Sequence, residues 1–135
     1  MPSDALLLKA ESIRRCVLRV ERFLHLSPEQ LQADVDAQDI VALNLQRAVQ
    51  LAVDMVAMVL AEDDHPVMPT MADGFRLLAR EQRLDPELAE RMARSVGLRN
   101  LIVHDYAEIN WEIVHRVMHA HLNDFRLFLH QIFQS

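Results

Sequence analysis

Apolar residues recur at helical intervals along most of the chain and predict an all-helical protein. The first stripe returns every three or four positions, as one face of an amphipathic α-helix requires: Leu6, Ala10, Ile13, Val17, Val20 and Leu24. The last has the same period: Trp111, Val114, Met118, Leu122, Phe125, Leu129 and Ile132. We therefore expect helices over about 4–25, 36–62, 73–83 and 111–133, and one more that opens near residue 86.

Capping residues mark where several of these helices begin. Ser27 is followed by a proline and, three residues on, by a glutamine, the pattern of a capping box that opens a short helix. Asp85 also precedes a proline, and Asn110 precedes the last stripe. With only two Gly in 135 residues and no internal repeat, the chain is predicted to form one domain over residues 1–135. Its expected architecture is an all-α bundle of four long helices plus one or two short helices.

The long helix predicted over 36–62 is apolar on more than one side. Such a helix must bury more than one side, which indicates a partner surface beyond the core of one chain. Polar residues interrupt its most apolar stretch, so we interpret it as too polar to span a membrane. The N-terminus has neither the basic region nor the apolar run of a signal peptide. We expect a cytoplasmic protein with no membrane contact.

The charge of the chain permits a local anion site and counts against a broad nucleic-acid-binding surface. The formal net charge is −6, and affinity for a phosphate backbone grows with the number of neutralising Lys and Arg residues. Lys9 is the single lysine, and arginine suits bidentate phosphate contacts better than lysine does. Cys16 is the single cysteine, which excludes a Cys-based metal site and fits a reducing cytoplasm. We expect Cys16 to be buried as a small hydrophobe.

Residues 99–106, Arg-Asn-Leu-Ile-Val-His-Asp-Tyr, concentrate the candidate chemistry. Histidine titrates near neutral pH, so His104 is a candidate to accept a proton from a ribose 2′-OH and return one to the leaving oxygen. Arg99 is a candidate to stabilise the extra negative charge of the transition state. Asn100 is a candidate to orient the imidazole or hold a phosphate oxygen, and Asp105 to pair with Arg99 or a partner's arginine. The expected reaction is RNA transesterification with no metal and no cofactor.

Helical spacing separates the two catalytic candidates. If one helix runs through residue 106, Arg99 and His104 point about 140° apart around its axis. They converge on one phosphate only if the helix ends near Val103 and turns His104 back, or if a second copy of the chain supplies the missing half. Gly97 lies one turn after Ala93, and small residues at this spacing let another helix approach closely. That helix lies within the chain or across a dimer, and we favour the dimer.

Most of the chain resembles the HepT toxins of the HEPN superfamily. The Arg-x4-His-x-Tyr spacing of Arg99, His104 and Tyr106 is characteristic of HepT rather than of HEPN proteins at large. The similarity extends to residues 44–46 in the long helix, to 78–79 in the third helix, and to the Asp-Pro-Glu-Leu-Ala and Val-Gly-Leu-Arg-Asn segments before the motif. The resemblance implies a HEPN-type up-and-down bundle.

The resemblance also implies the toxin of a type VII-like toxin–antitoxin pair, a homodimeric and metal-independent endoribonuclease with its motif at a composite cleft. Carried over to this chain, Arg99 and His104 are catalytic. Tyr106 is then the residue that an MntA-like minimal nucleotidyltransferase antitoxin modifies with AMP (adenylylation, or AMPylation), which adds bulk and negative charge next to Arg99. Two alternatives stay open: a non-catalytic HEPN binding module that presents substrate to a partner nucleotidyltransferase, and a helical dimerisation domain without chemistry.

His115 and His119 form a second histidine pattern on the last predicted helix. They lie four residues apart, a spacing that can bind zinc. The glutamate that accompanies such a pair in zinc proteases is missing, and both histidines flank the apolar stripe. We therefore expect a structural role at the boundary of the core rather than a metal site.

Overall fold

The computed structural model describes residues 2–134, and in this range every regular element is helical. The elements in chain order are α1 (Asp4–Glu21), α2 (Pro28–Ala33), α3 (Val35–Glu62), α4 (Met71–Arg80), α5 (Pro86–His104), α6 (Trp111–Ala120) and α7 (Asn123–Ile132). A 3-10 turn, Tyr106–Glu108, lies between α5 and α6. The prediction of an all-α bundle is confirmed.

α3 is the central helix, and its position explains why it is apolar on several sides. It packs against α1, α2, α4 and α5. Its buried residues accordingly include Leu45, Val49, Met55 and Val56. Contacts within one chain therefore bury most of the apolar residues of α3 that had indicated a partner surface. Ile40 and Leu43 remain exposed on α3, each at 42%.

By length and composition alone, α3 is also able to cross a membrane. The prediction that α3 is too polar to span a membrane is therefore wrong as far as its composition alone is concerned. In its most apolar 18-residue window, 50% of the helix is buried inside the bundle. Packing against four neighbouring helices thus accounts for its hydropathy, as in the core helix of a folded domain.

The predicted single helix over 111–133 is wrong, because the structure breaks it into α6 and α7. The amide of His121 still donates to the Val117 carbonyl at 2.9 Å, but the amide of Asp124 reaches back only to the His121 carbonyl. The carboxylate of Asp124 is buried and paired with Arg91 of α5 at 3.1 Å, a contact that lies outside the local sequence. Met118, Leu122 and Phe125 are all buried, so the apolar period continues across the break and conceals it.

Helix starts agree with the capping residues, whereas two helix ends differ from the expected bounds. Ser27 forms the predicted capping box, and Asp85 and Asn110 cap α5 and α6. α1 ends at Glu21 rather than near residue 25, and α4 covers Met71–Arg80 rather than 73–83. Beyond α1 the chain continues in turns that bond three residues back, and beyond α4 the amide of Arg83 bonds to the Leu78 carbonyl, five residues back. Apolar periodicity does not distinguish such ends from helix.

Candidate active site

The C-terminal end of α5 carries the motif up to His104. The helix ends one residue beyond Val103, close to the end foreseen, but His104 is still helical, and only the backbone of its C-cap Asp105 (φ −139°, ψ 48°) leaves the helical region. The Asp105 amide still donates to the Leu101 carbonyl at 2.8 Å. His104 is therefore not turned back towards Arg99, and ideal helical geometry keeps the two about 140° apart.

Arg99 is half-buried in a groove between α5 and the neighbouring helices. Its Nη1 donates to Asn100 Oδ1 at 2.9 Å, and its Nε is buried with no hydrogen-bond partner among residues 2–134. A cavity of about 30 Å³ adjoins it, lined also by Arg91, His121 and Asp124. No carboxylate in the described residues forms an ion pair with Arg99, so the expected pairing with Asp105 of the same chain is absent. The guanidinium keeps an unneutralised charge suited to an anion.

His104 lies on the opposite, open side of α5. It is exposed, and it makes no hydrogen bond within the described part of the chain. Gly97 is seven residues earlier and thus only about 20° away around the helix. A Cβ added to Gly97 meets no atom within 4 Å, which excludes close approach by another helix of this chain. His104 and Gly97 therefore share a solvent-facing stripe that α5 leaves uncovered.

Tyr106 is held by one contact with α3 and one with α6. Its hydroxyl donates to Asp39 Oδ1 at 2.6 Å, and its ring meets Trp111 edge-to-face with centroids 5.9 Å apart. Partial burial, together with the hydrogen bond and negative charge of Asp39, raises the pKa of the Tyr106 phenol well above its ordinary value. The side chain is still 39% exposed. The hydroxyl is thus protonated at neutral pH, held in one direction and accessible from solvent.

Asp39 is the residue of this site that the sequence analysis missed. It lies 67 residues before Tyr106, on the exposed face of α3. An acid on a helix surface carries no signal of its own in a single sequence, and the contact depends on how α5 and α3 pack. Asn100 is a candidate to orient the imidazole, but in the structure its side chain accepts a hydrogen bond from Arg99.

The other candidate ligands have structural partners. His115 Nε2 lies 2.8 Å from the Leu26 carbonyl oxygen. The rings of His115 and His119 stack on each other, with their centroids 4.2 Å apart. This agrees with the boundary role expected for both histidines. Asp63, His65 and Glu81 present possible metal-ligand atoms within 4.8 Å of one another. Glu81 is paired with His65 and Asp63 with Arg83, and along α3 this cluster is about 36 Å from Asp39.

Comparison with known proteins places this fold in a defined class. In structure, the chain superposes on the tri-AMPylated HEPN toxin of Shewanella oneidensis, solved in complex with its MNT antitoxin, with a TM-score of 0.91, 32% identity and coverage of 99% of this chain and 100% of that one. A toxin–antitoxin crystal structure with AMP-PNP also gives a TM-score of 0.91, at 32% identity, covering 98% and 100%. The class is that of the HEPN toxins.

Sequence comparison narrows the class to one family. A family model described as ribonuclease HepT-like matches residues 13–132. The chain is 33% identical to the mRNA nuclease HepT of Shewanella oneidensis over 127 residues, 94% of this chain and 95% of that protein. It is 30% identical to the tRNA nuclease HepT of Aphanizomenon flos-aquae over 124 residues, 92% and 84% of the two chains. The chain belongs to the ribonuclease HepT-like family, and the resemblance inferred from its motif is confirmed.

Proposed function

We propose that this chain is the toxin of a type VII-like toxin–antitoxin pair and acts in the cytoplasm as a metal-independent endoribonuclease. The observation that carries the proposal is the family match over residues 13–132, which includes the complete Arg-x4-His-x-Tyr motif. Both relatives compared above are named nucleases, one of mRNA and one of tRNA. RNA is therefore the substrate class, and this nuclease function is favoured over a binding module without chemistry.

The proposed reaction is transfer of a phosphodiester from the 5′-oxygen of one nucleotide to the 2′-oxygen of its neighbour. His104 accepts the 2′-OH proton, the 2′-oxygen bonds to phosphorus, and the bond to the 5′-oxygen breaks. The imidazolium returns a proton to the leaving 5′-oxygen, which produces a 2′,3′-cyclic phosphate. Arg99 stabilises the additional negative charge on the phosphoryl oxygens, and Asn100 holds its guanidinium in place.

A homodimer is part of the proposal, because one chain holds its two catalytic groups on different sides of α5. In a symmetric dimer the same surface patch meets its copy. The uncovered stripe with His104 and Gly97 offers such a patch, and the open space at Gly97 admits a closely approaching helix. For a composite cleft, this interface must also extend around α5 to the groove at Arg99, so that Arg99 of one chain lies beside His104 of the other. Asp105 is free to meet an arginine of the partner chain.

Neutralisation is proposed to occur by AMP transfer to Tyr106 from an MntA-like nucleotidyltransferase antitoxin. The related Shewanella oneidensis toxin is tri-AMPylated and bound to an MNT antitoxin. In this chain Tyr106 is the single tyrosine, and its hydroxyl is accessible at the end of α5. A phosphodiester on that hydroxyl adds negative charge and bulk beside the cleft, which opposes binding of an RNA phosphate.

The test is cleavage of RNA by the wild type and by Arg99→Ala and His104→Ala. Each substitution is expected to lower the rate by about 10²-fold or more, since each removes a group that acts in the transition state. Matched controls are Arg22→Ala and His25→Ala, which alter exposed residues of the same types just beyond α1. Circular dichroism checks that every variant is folded.

Three outcomes contradict the proposed mechanism. Equal cleavage by all variants shows that Arg99 and His104 take no part in the reaction. Loss of wild-type cleavage on adding EDTA shows that the reaction requires a metal ion. No cleavage by the wild type, together with stable binding to the nucleotidyltransferase, supports the non-catalytic binding module instead.

A further inference from the structure

The hydrogen bond between Tyr106 and Asp39 joins the proposed acceptor of AMP to a carboxylate of the same chain. The distance from the phenol oxygen to Asp39 Oδ1 is 2.6 Å. Transfer of AMP to a phenol requires removal of its proton, and a general base must lie within about 2.6–3.2 Å of the oxygen that it deprotonates. Asp39 meets this requirement before any partner binds.

Asp39 is also free to act as a base. Among residues 2–134 it forms no ion pair, and its side chain accepts a hydrogen bond from the Tyr106 hydroxyl. Asp39 is exposed on α3 and Tyr106 is 39% exposed, so the pair lies at the surface of the chain. The Trp111 contact holds the ring while the hydroxyl reacts. An unpaired carboxylate thus faces a fixed and accessible nucleophile.

We propose that Asp39 is the general base for AMP transfer to Tyr106, so that the toxin supplies a catalytic group to its own inactivation. This inference rests on the proposed function, in which Tyr106 is the acceptor. The phenol oxygen attacks the α-phosphorus of a nucleoside triphosphate held by the antitoxin, and the bond to the β-phosphate oxygen breaks. Pyrophosphate leaves, and the phenol proton passes to the Asp39 carboxylate. An aspartate accepts the substrate hydroxyl proton in the same way in protein kinases.

A purely structural role for Asp39 has different consequences. If the carboxylate only fixes the Tyr106 ring, an amide does so equally well, because an asparagine Oδ1 also accepts a hydrogen bond from the phenol. Asp39→Asn therefore keeps the geometry and removes the basicity. Asp36→Asn is the matched control: it removes the same charge from an exposed position one turn earlier on α3.

The experiment measures the rate of AMP addition by intact-protein mass spectrometry, with the antitoxin and ATP, for wild type, Asp39→Asn, Asp36→Asn and Tyr106→Phe. At saturating antitoxin, Asp39→Asn is expected to be slower by roughly 10²-fold, a typical contribution of general base catalysis. The antitoxin concentration that gives half the maximal rate is expected to stay unchanged. Asp36→Asn is expected to match the wild type, and Tyr106→Phe to remain unmodified.

The outcomes separate this inference from the proposed function. Equal maximal rates for Asp39→Asn and wild type overturn the role of Asp39 and leave Tyr106 as the acceptor. Equal slowing of Asp36→Asn and Asp39→Asn shows that loss of negative charge at this face of α3, rather than loss of a base at Tyr106, lowers the rate, which also overturns it. Modification of Tyr106→Phe at another residue, or none of the wild type, contradicts the proposed neutralisation itself.

Discussion

Mixed dimers of two inactive variants distinguish a cleft shared between chains from a cleft within one chain. Arg99→Ala retains His104, and His104→Ala retains Arg99. If each cleft takes Arg99 from one chain and His104 from the other, a mixed dimer has one cleft with both native residues and one with neither. Ideal helical geometry separates the two side chains by about 140° on α5, which ends only at His104, and so favours this shared arrangement.

The expected activity of the mixture follows from counting clefts. After free exchange of equal amounts, about half of the dimers are mixed, and half of the clefts in those dimers are native. The mixture therefore recovers about a quarter of the wild-type rate, although each variant alone is inactive. A cleft formed within one chain predicts no recovery, because no chain in the mixture carries both residues.

The assay is cleavage of a fluorescent RNA after the purified variants have exchanged subunits, with exchange verified by native mass spectrometry. The reciprocal mixture is the control: wild type with the double variant Arg99→Ala/His104→Ala. There the shared cleft predicts about a quarter of the activity of an all-wild-type sample, whereas a cleft within one chain predicts about half. Background activity in the first mixture, with half in the second, refutes the composite cleft.

Two further predictions concern stability. Gly74→Ala is expected to destabilise the fold by about 1–3 kcal/mol through overpacking, because a Cβ there lies 2.7 Å from Val56 Cγ1, and urea unfolding of Gly74→Ala with and without Val56→Ala tests this by relief of the clash. The hydrogen bonds from Arg126 lower the pKa of Glu21 below its ordinary value of 4.5. Their stabilisation is therefore present above that value and lost as the pH falls through the lowered pKa, so the difference in stability between wild type and Glu21→Gln is expected to be largest near neutral pH and to shrink as the solution is acidified; a difference independent of pH contradicts this.

The helical bundle follows from the sequence because the residues that fill the core also repeat at the helical period. The residues of the first and last stripes, from Leu6 to Val20 and from Trp111 to Ile132, are buried as the pattern predicts. Cys16 is buried too, and burial raises the pKa of its thiol. The same pattern did not show the break after α6, because the apolar period continues across it.

The motif predicts the chemistry that we propose for the site, but it does not predict the arrangement of the residues. Spacing alone showed that Arg99 and His104 diverge on a helix. Which of the two resolutions applies depends on where α5 ends, and that end is set by the backbone of Asp105 rather than by a Gly or Pro signal. The contact of Tyr106 with Asp39 depends on the packing of α5 against α3, so no local pattern reports it.

The end of α5 also bears on how one short motif would serve both the proposed cleavage and its proposed control. On a continuous helix, Tyr106 would point about 200° away from His104, on the far side of the axis. The chain leaves the helix at Asp105, and the following 3-10 turn directs Tyr106 to Asp39 on α3 instead. Two residues still separate the two Cα atoms by at most about 7 Å. We therefore expect a group as large as AMP on Tyr106 to reach the face that carries His104. The unmodified tyrosine is held by Asp39 and Trp111 and leaves that face open.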